Sequence, residues 1–309
     1  MISGLNPANQ QFVASVNNLE DQLQNVELQA SSGLRVNQAS DAPQEVQDIF
    51  QARSDLGQVN QVQQNLTTVQ AQVNAADSAL QNAIQVLQQA STLATQAASS
   101  GTTTPEQQQQ MATQVQGLLS ELVSLSRTQV DGVYIFSGDN PGSPSYQLDA
   151  TSPTGVDRLI TPQATQQIAD PTGVTFQIAE TAQDLFDNRD SNDNPTAQNV
   201  FAAINSLQIA LQNGDQNGIT QALGSIQTAG AYLNQQLGFY GTAENRITSA
   251  LDLAQKFQVQ DQTQLSNLQD ADVPTVATEL TQISTSLNAA MAAQARRPTT
   301  TLFDYLPIQ

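Results

Sequence analysis

The chain has no cysteine, no histidine and a single lysine, Lys256, in 309 residues. Without cysteine there is no disulfide, no thiolate zinc site and no thiol nucleophile. Without histidine the commonest general base and metal ligand is missing as well. Nine Lys and Arg stand against 28 Asp and Glu, a formal charge of −19. Nucleic acid and anionic membranes both call for clustered cations, so neither is expected as a partner. Charged residues make up only 12% of the chain, which leaves Gln, Asn, Ser and Thr to carry its solubility. Such a surface is permissive for close side-by-side packing of copies.

Other absences narrow the reading further. The opening residues 1–7 have neither the basic region nor the apolar core of a cleaved signal peptide. No apolar run approaches the span of a bilayer. Neither common Gly-rich phosphate loop is present, and no nucleophile elbow. Lys256 lies on a polar helix face and reads as solvated rather than catalytic. Asp190, Asn192 and Asn194 have the spacing of calcium ligands, but Pro195 replaces the needed glycine and Phe201 the bidentate glutamate. That segment reads as a turn. No enzymatic activity, metal or cofactor is expected.

What the chain does have is helical periodicity. Phe12, Val16, Leu19, Leu23, Val26 and Ala30 alternate at spacings of four and three, the seam of a coiled-coil helix. The break at Ser31-Ser32-Gly33 ends it, since Gly33 suits the left-handed conformation that stops a helix. Ser40 or Asp41 then caps a second helix, with Pro43 in its first turn. This second helix runs from 43 to about 98 on a stripe through Val59, Leu66, Val73, Leu80 and Leu87. Thr104 and Pro105 open a third, with Met111, Val115, Leu118 and Leu122.

At Val133-Tyr134-Ile135-Phe136 the period changes, and through residue 195 the chain is rich in Pro, Gly, Asp and Thr. Helix returns at Val200–Leu211, passes a turn containing Gly214 and Gly218, and continues through Ile219, Ile226, Leu233 and Tyr240 toward 272. A last stripe holds Val276, Leu280, Ile283 and Leu287, and the tail carries Leu302, Phe303, Tyr305 and Leu306. The expected fold is mainly α: a long coiled-coil-like bundle of N- and C-terminal arms with a small β-rich insert. The segments are an assembly helix and turn (1–42), a bundle arm (43–131), the insert (132–195), the second arm (196–272) and a final assembly helix with tail (273–309).

The long helices are expected to bury their stripes within the chain. Each terminal helix has a narrow seam and lies beyond a break, so Phe12, Val16, Leu19, Leu23, Val26, Leu280, Ile283 and Leu287 are assigned to packing between copies. Isolated helices of that length are marginal in water, so they are expected to become fixed on assembly. The apolar tail residues Leu302, Phe303, Tyr305 and Leu306 are assigned to the same interface.

Three places resemble one family. The turn with Gly33, Leu34, Arg35, Asn37, Asp41 and Pro43 is similar to the N-terminal signature of bacterial flagellins and their hook-associated relatives. Gly132 to Gly138 looks like the hook-associated branch, and 245–247, 265–272 and 293–306 resemble the family's C-terminal region. The resemblance implies a structural subunit of the flagellum at the junction of hook and filament; a small filament flagellin is the alternative within the family. It also implies export without a cleaved signal, through the flagellar export apparatus with a chaperone. The implied location is extracellular, and the implied partners are further copies of the chain, an adjoining hook-associated protein and flagellin. An alternative from another class is a non-flagellar coiled-coil adaptor.

Overall fold

The computed structural model describes residues 7–99 and 104–296. In chain order it contains helices α1 (Pro7–Ser32), α2 (Val46–Ala98) and α3 (Pro105–Ser126), then strands β1 (Gln129–Val130), β2 (Val133–Tyr134), β3 (Tyr146–Leu148), β4 (Val156–Arg158), β5 (Gln167–Ala169) and β6 (Thr175–Gln177). Helices α4 (Ala182–Phe186), α5 (Val200–Asn213), α6 (Gln216–Gln269) and α7 (Val273–Ala295) follow. Among the described residues no helix is long and apolar enough to cross a membrane. The chain forms two compact units, residues 59–256 on the one hand and 1–58 with 257–309 on the other.

The larger unit is built on two sustained heptads. Leu66, Val73, Leu80 and Leu87 of α2 recur every seven residues and are buried, as are Ile219, Ile226, Leu233, Tyr240 and Ile247 of α6. Most of these large residues are followed three positions later by a buried alanine: Ala76, Ala83 and Ala90 on α2, Ala222, Ala229, Ala243 and Ala250 on α6. A strict seven-residue repeat keeps one seam facing the partner, and alanine at half its positions lets backbones approach closely. The two stripes belong to one continuous core, and a Cβ placed on Gly230 of α6 would lie 3.9 Å from Leu87 Cδ1 of α2.

Helix α3 begins as the sequence predicts. The Thr104 side chain accepts from the Gln107 N–H, and the Gln107 side chain accepts from the Thr104 N–H in return. Its buried face, Val115, Leu118, Leu119 and Leu122, packs against α5. Helix α5 ends at Gly214, whose φ of +63° satisfies the left-handed stop. Gly218, expected in that turn, lies instead in the first turn of α6.

The insert consists of three separate antiparallel ladders, β1 with β2, β3 with β4, and β5 with β6. The first begins at Gln129, three residues ahead of the expected 132, because Asp131-Gly132 forms a two-residue hairpin loop between paired Val130 and Val133. Both loop residues have positive φ, 52° and 80°, the geometry that matches the twist of flanking strands. Two-stranded ladders of this size have little stability of their own. They are held on the helices by buried Tyr146, Val156, Phe176 and Ile178 and by a cluster of Phe136, Phe186, Phe201 and Tyr146 rings, 5.1–5.9 Å apart.

Candidate assembly site

In the smaller unit the two terminal stripes meet. Helices α1 and α7 pack on each other. Phe12, Val16, Leu19 and Leu23 are half-buried and Val26 is buried; across from them Leu280, Ile283 and Leu287 are half-buried and Val276 is buried. Two helices that are each marginal alone thus cover one another within one chain, and each seam stays partly open to solvent. Ala30, at the end of the expected stripe, is exposed. The outer faces also present Val13, Leu28, Val273 and Met291, each 40–60% exposed. The tail residues Leu302, Phe303, Tyr305 and Leu306 lie outside the described residues.

Behind this pair the turn between α1 and α2 clasps the end of α6. Gly33 stops α1 at φ +72°, and its N–H reaches the Gln29 carbonyl at 2.9 Å, the one-bond left-handed cap. Leu34 then bridges to Asp270. The Arg35 N–H donates to the Gln269 carbonyl at 2.7 Å, and the Ala271 N–H to the Gly33 carbonyl at 2.9 Å. The Arg35 guanidinium holds the Leu268 carbonyl at 2.6 Å and pairs with Glu45. Its hold on Leu268 occupies a carbonyl at the C-terminal end of α6, where a cation also suits the helix dipole. Arg53 adds a bond to the Gln269 side chain at 2.9 Å. Beneath these bonds Val36, Ala42 and Ile49 form a small apolar cluster with Leu265 and Leu268.

Each remaining signature residue shapes the same turn. The Asn37 side chain donates to the Leu34 carbonyl at 2.8 Å. Asp41, expected with Ser40 as a cap for α2, instead accepts from the Asn37 and Gln38 N–H groups at 2.9 and 2.8 Å. A short side chain next to free turn amides bonds them before it can reach a later helix. Pro43 likewise precedes α2 rather than opening it. It sits second in a turn closed by the Glu45 N–H on the Ala42 carbonyl, where its fixed φ is favoured. At the start of α7, Asp272 occupies the cap position but takes the Thr275 hydroxyl at 2.6 Å rather than a backbone N–H. Burial and the nearby Asp55 carboxylate push the Asp261 carboxyl above its ordinary range.

The larger unit holds a polar centre that sequence reading missed. The fully buried Asp187 carboxylate accepts from the Tyr146 hydroxyl at 3.1 Å, Arg158 at 2.9 Å, Arg189 at 2.9 Å and Asn199 at 2.7 Å. Burial and the adjacent Asp187 charge push the Tyr146 phenol well above its usual range. The neighbouring segment weighed for calcium is a turn: Asp190 accepts from the Asn192 and Asn194 N–H groups, both at 2.9 Å. Asp187 is tied up by protein donors, with no open face toward solvent, so this centre locks loops onto α5 and has no evident chemistry.

Residues 2–141 match the family described as the bacterial flagellin N-terminal helical region. The N-terminal arm, with its clasping turn and the Asp131-Gly132 hairpin, is therefore similar to the helical N-terminal region of bacterial flagellins. The fold is that of solved flagellar hook-associated proteins. A putative hook-associated protein from Vibrio parahaemolyticus aligns with a TM-score of 0.63 at 16% identity, covering 74% of this chain and 100% of that one. Flagellar hook-associated protein 3 from Legionella pneumophila gives 0.60 at 13% identity, covering 71% and 98%. FlgL from Xanthomonas campestris gives 0.58 at 15% identity, covering 71% and 99%. No match is found among curated protein sequences.

Proposed function

We propose that the chain is a structural subunit of the bacterial flagellum that joins the hook to the filament. The observation that carries this reading is the pairing of α1 with α7 behind the clasp. It gathers both chain ends into one element whose apolar seam is only half covered. On α1 four large apolar side chains, and on α7 three, keep an open side; completing their burial is worth about 1 kcal/mol each. Several kcal/mol per subunit offsets the entropy of fixing two exposed helices in a polymer. The flagellin-type N-terminal arm supports a flagellar location outside the cell, and the likeness to hook-associated proteins over nearly their whole length supports the junction role. A solved Legionella pneumophila protein of this fold is the flagellar junction protein FlgL.

The partners in this reading are further copies in a ring or tube, an adjoining hook-associated protein and flagellin, with the flagellar export apparatus and a chaperone acting before assembly. No catalytic role is assigned. Filament flagellin is the second reading, favoured by the match of residues 2–141 to the flagellin N-terminal region. Seeded assembly separates the two. On hook fragments bearing the preceding hook-associated protein, a junction subunit adds a short cap that stops growing and then accepts flagellin. Long uniform filaments of this chain alone would make it a flagellin; no addition to the seeds would remove the flagellar reading.

A further inference from the structure

The cations of the larger unit are mostly engaged within it. Arg158 and Arg189 hold Asp187, and Arg246 lies over the Phe176 ring at 5.2 Å. Arg127 differs. Its backbone N–H closes the last turn of α3 on Ser124 and Leu125, but its guanidinium makes no ion pair, hydrogen bond or ring contact among the described residues. It stands in a surface concavity of about 430 Å³ with Ser120, Ser124, Gln129, Tyr134 and Leu148. Tyr134 is half-buried and Leu148 is 49% exposed. None of the residues lining this hollow is acidic.

The hollow therefore combines an unpaired guanidinium, an aromatic wall, an exposed aliphatic side chain and small polar groups. Arg and Tyr are the residue types that most often dominate binding at interfaces, through charge-assisted bonds and rigid apolar area. Tyr134 is held in place, because the Asp131-Gly132 loop fixes the hairpin that presents it. We infer that this concavity receives a carboxylate and an adjoining apolar side chain from a second copy of the chain. The inference rests on the self-assembly in the proposed function and adds where one contact falls.

Charge selects the occupant. With 28 acidic residues to nine basic, an approaching copy offers about three carboxylates for every cation, so an uncommitted cation in such a hollow is the scarcer member. A contact limited by the scarce member sets the register between neighbours. Repeated head to tail, a cation on one copy and a carboxylate on the next close into rings or extend into tubes.

The test is sedimentation velocity of the full chain and its Arg127→Lys and Arg127→Glu variants across concentration and ionic strength, with melting curves alongside. Arg127 is exposed and unpaired, so Arg127→Lys should melt like the wild type, and Arg127→Glu, an anion at the C-terminus of α3, should melt at most a few degrees lower. The wild type is expected to self-associate more weakly as salt rises. Arg127→Glu should weaken association at low salt at least tenfold and flatten its salt dependence, while Arg127→Lys should retain most of both. Equal association of wild type and Arg127→Glu would overturn the inference, as would a wild type that stays monomeric throughout. A chain that associates through Arg127 yet adds to no hook seed would leave this contact standing and remove the junction role.

Discussion

Gly155 occupies a position that no side chain can share. Its φ is +75°, and a Cβ there would come within 2.6 Å of Leu119 Cδ2 and 2.9 Å of Asn205 Oδ1. Both neighbours are buried in the α3–α5 contact, and the Asn205 amide is engaged with the Pro153 carbonyl at 2.9 Å. Gly155→Ala should therefore cost about 2–4 kcal/mol, summing backbone strain and overpacking, read as a lower midpoint in urea unfolding with an unchanged slope. An unchanged midpoint would mean that the β3–β4 loop is not seated on these helices. Asp187 carries a related lesson. Its partners Tyr146 and Arg158 come from 41 and 29 residues away, so no local pattern marks it. A sequence shows an acidic residue after Phe186; only the fold shows two guanidinium groups closing over it.

Among the elements, the helices were legible and the ladders were not. The heptads on α2 and α6 repeat over many turns, and a period that long survives local exceptions such as Gly218. Strands of two or three residues carry no period at all, which is why the insert could be read only as β-rich. The Asp131-Gly132 pair was a usable hairpin signal and would have moved the insert's start from 132 to 129. The turn after α1 is recognisable at Gly33, yet residue type alone places Asp41 and Pro43 at the start of α2. Their bonds run backward along the chain, and the helix begins only at Val46. What the turn clasps was not visible, since residues 268–271 lie more than 200 positions away. This clasp has its own prediction. Arg35→Ala removes the bond to the Leu268 carbonyl and the partly exposed pair with Glu45, about 1 kcal/mol together. Hydrogen exchange at the Val36 and Ala271 amides should quicken about fivefold, with Leu233 in the other unit unchanged. Unchanged exchange at all three would show that backbone bonds hold the clasp without the side chain.

For the whole molecule, the larger unit holds most of the fold and carries the Arg127 contact on its surface, while the half-covered helix pair lies in the smaller one. Residues 59–256 contain the long heptads, the α3–α5 contact and the Asp187 centre, and thus most of the buried apolar area. The unit formed by 1–58 and 257–309 has a small core of Val36, Ala42 and Ile49 beneath the clasp and a half-covered helix pair beyond it. Their narrow seams assign the stripes of α1 and α7 to neighbouring copies. Within one chain they already face each other, and their open sides are what remains for neighbours. The most direct test compares melting and assembly of the full chain with a version lacking residues 1–30. The account predicts that the main melting transition moves by less than about 3 °C, on the order of 1 kcal/mol, while addition to hook seeds is abolished. A truncated chain that still assembles, or one whose main transition collapses, would contradict it.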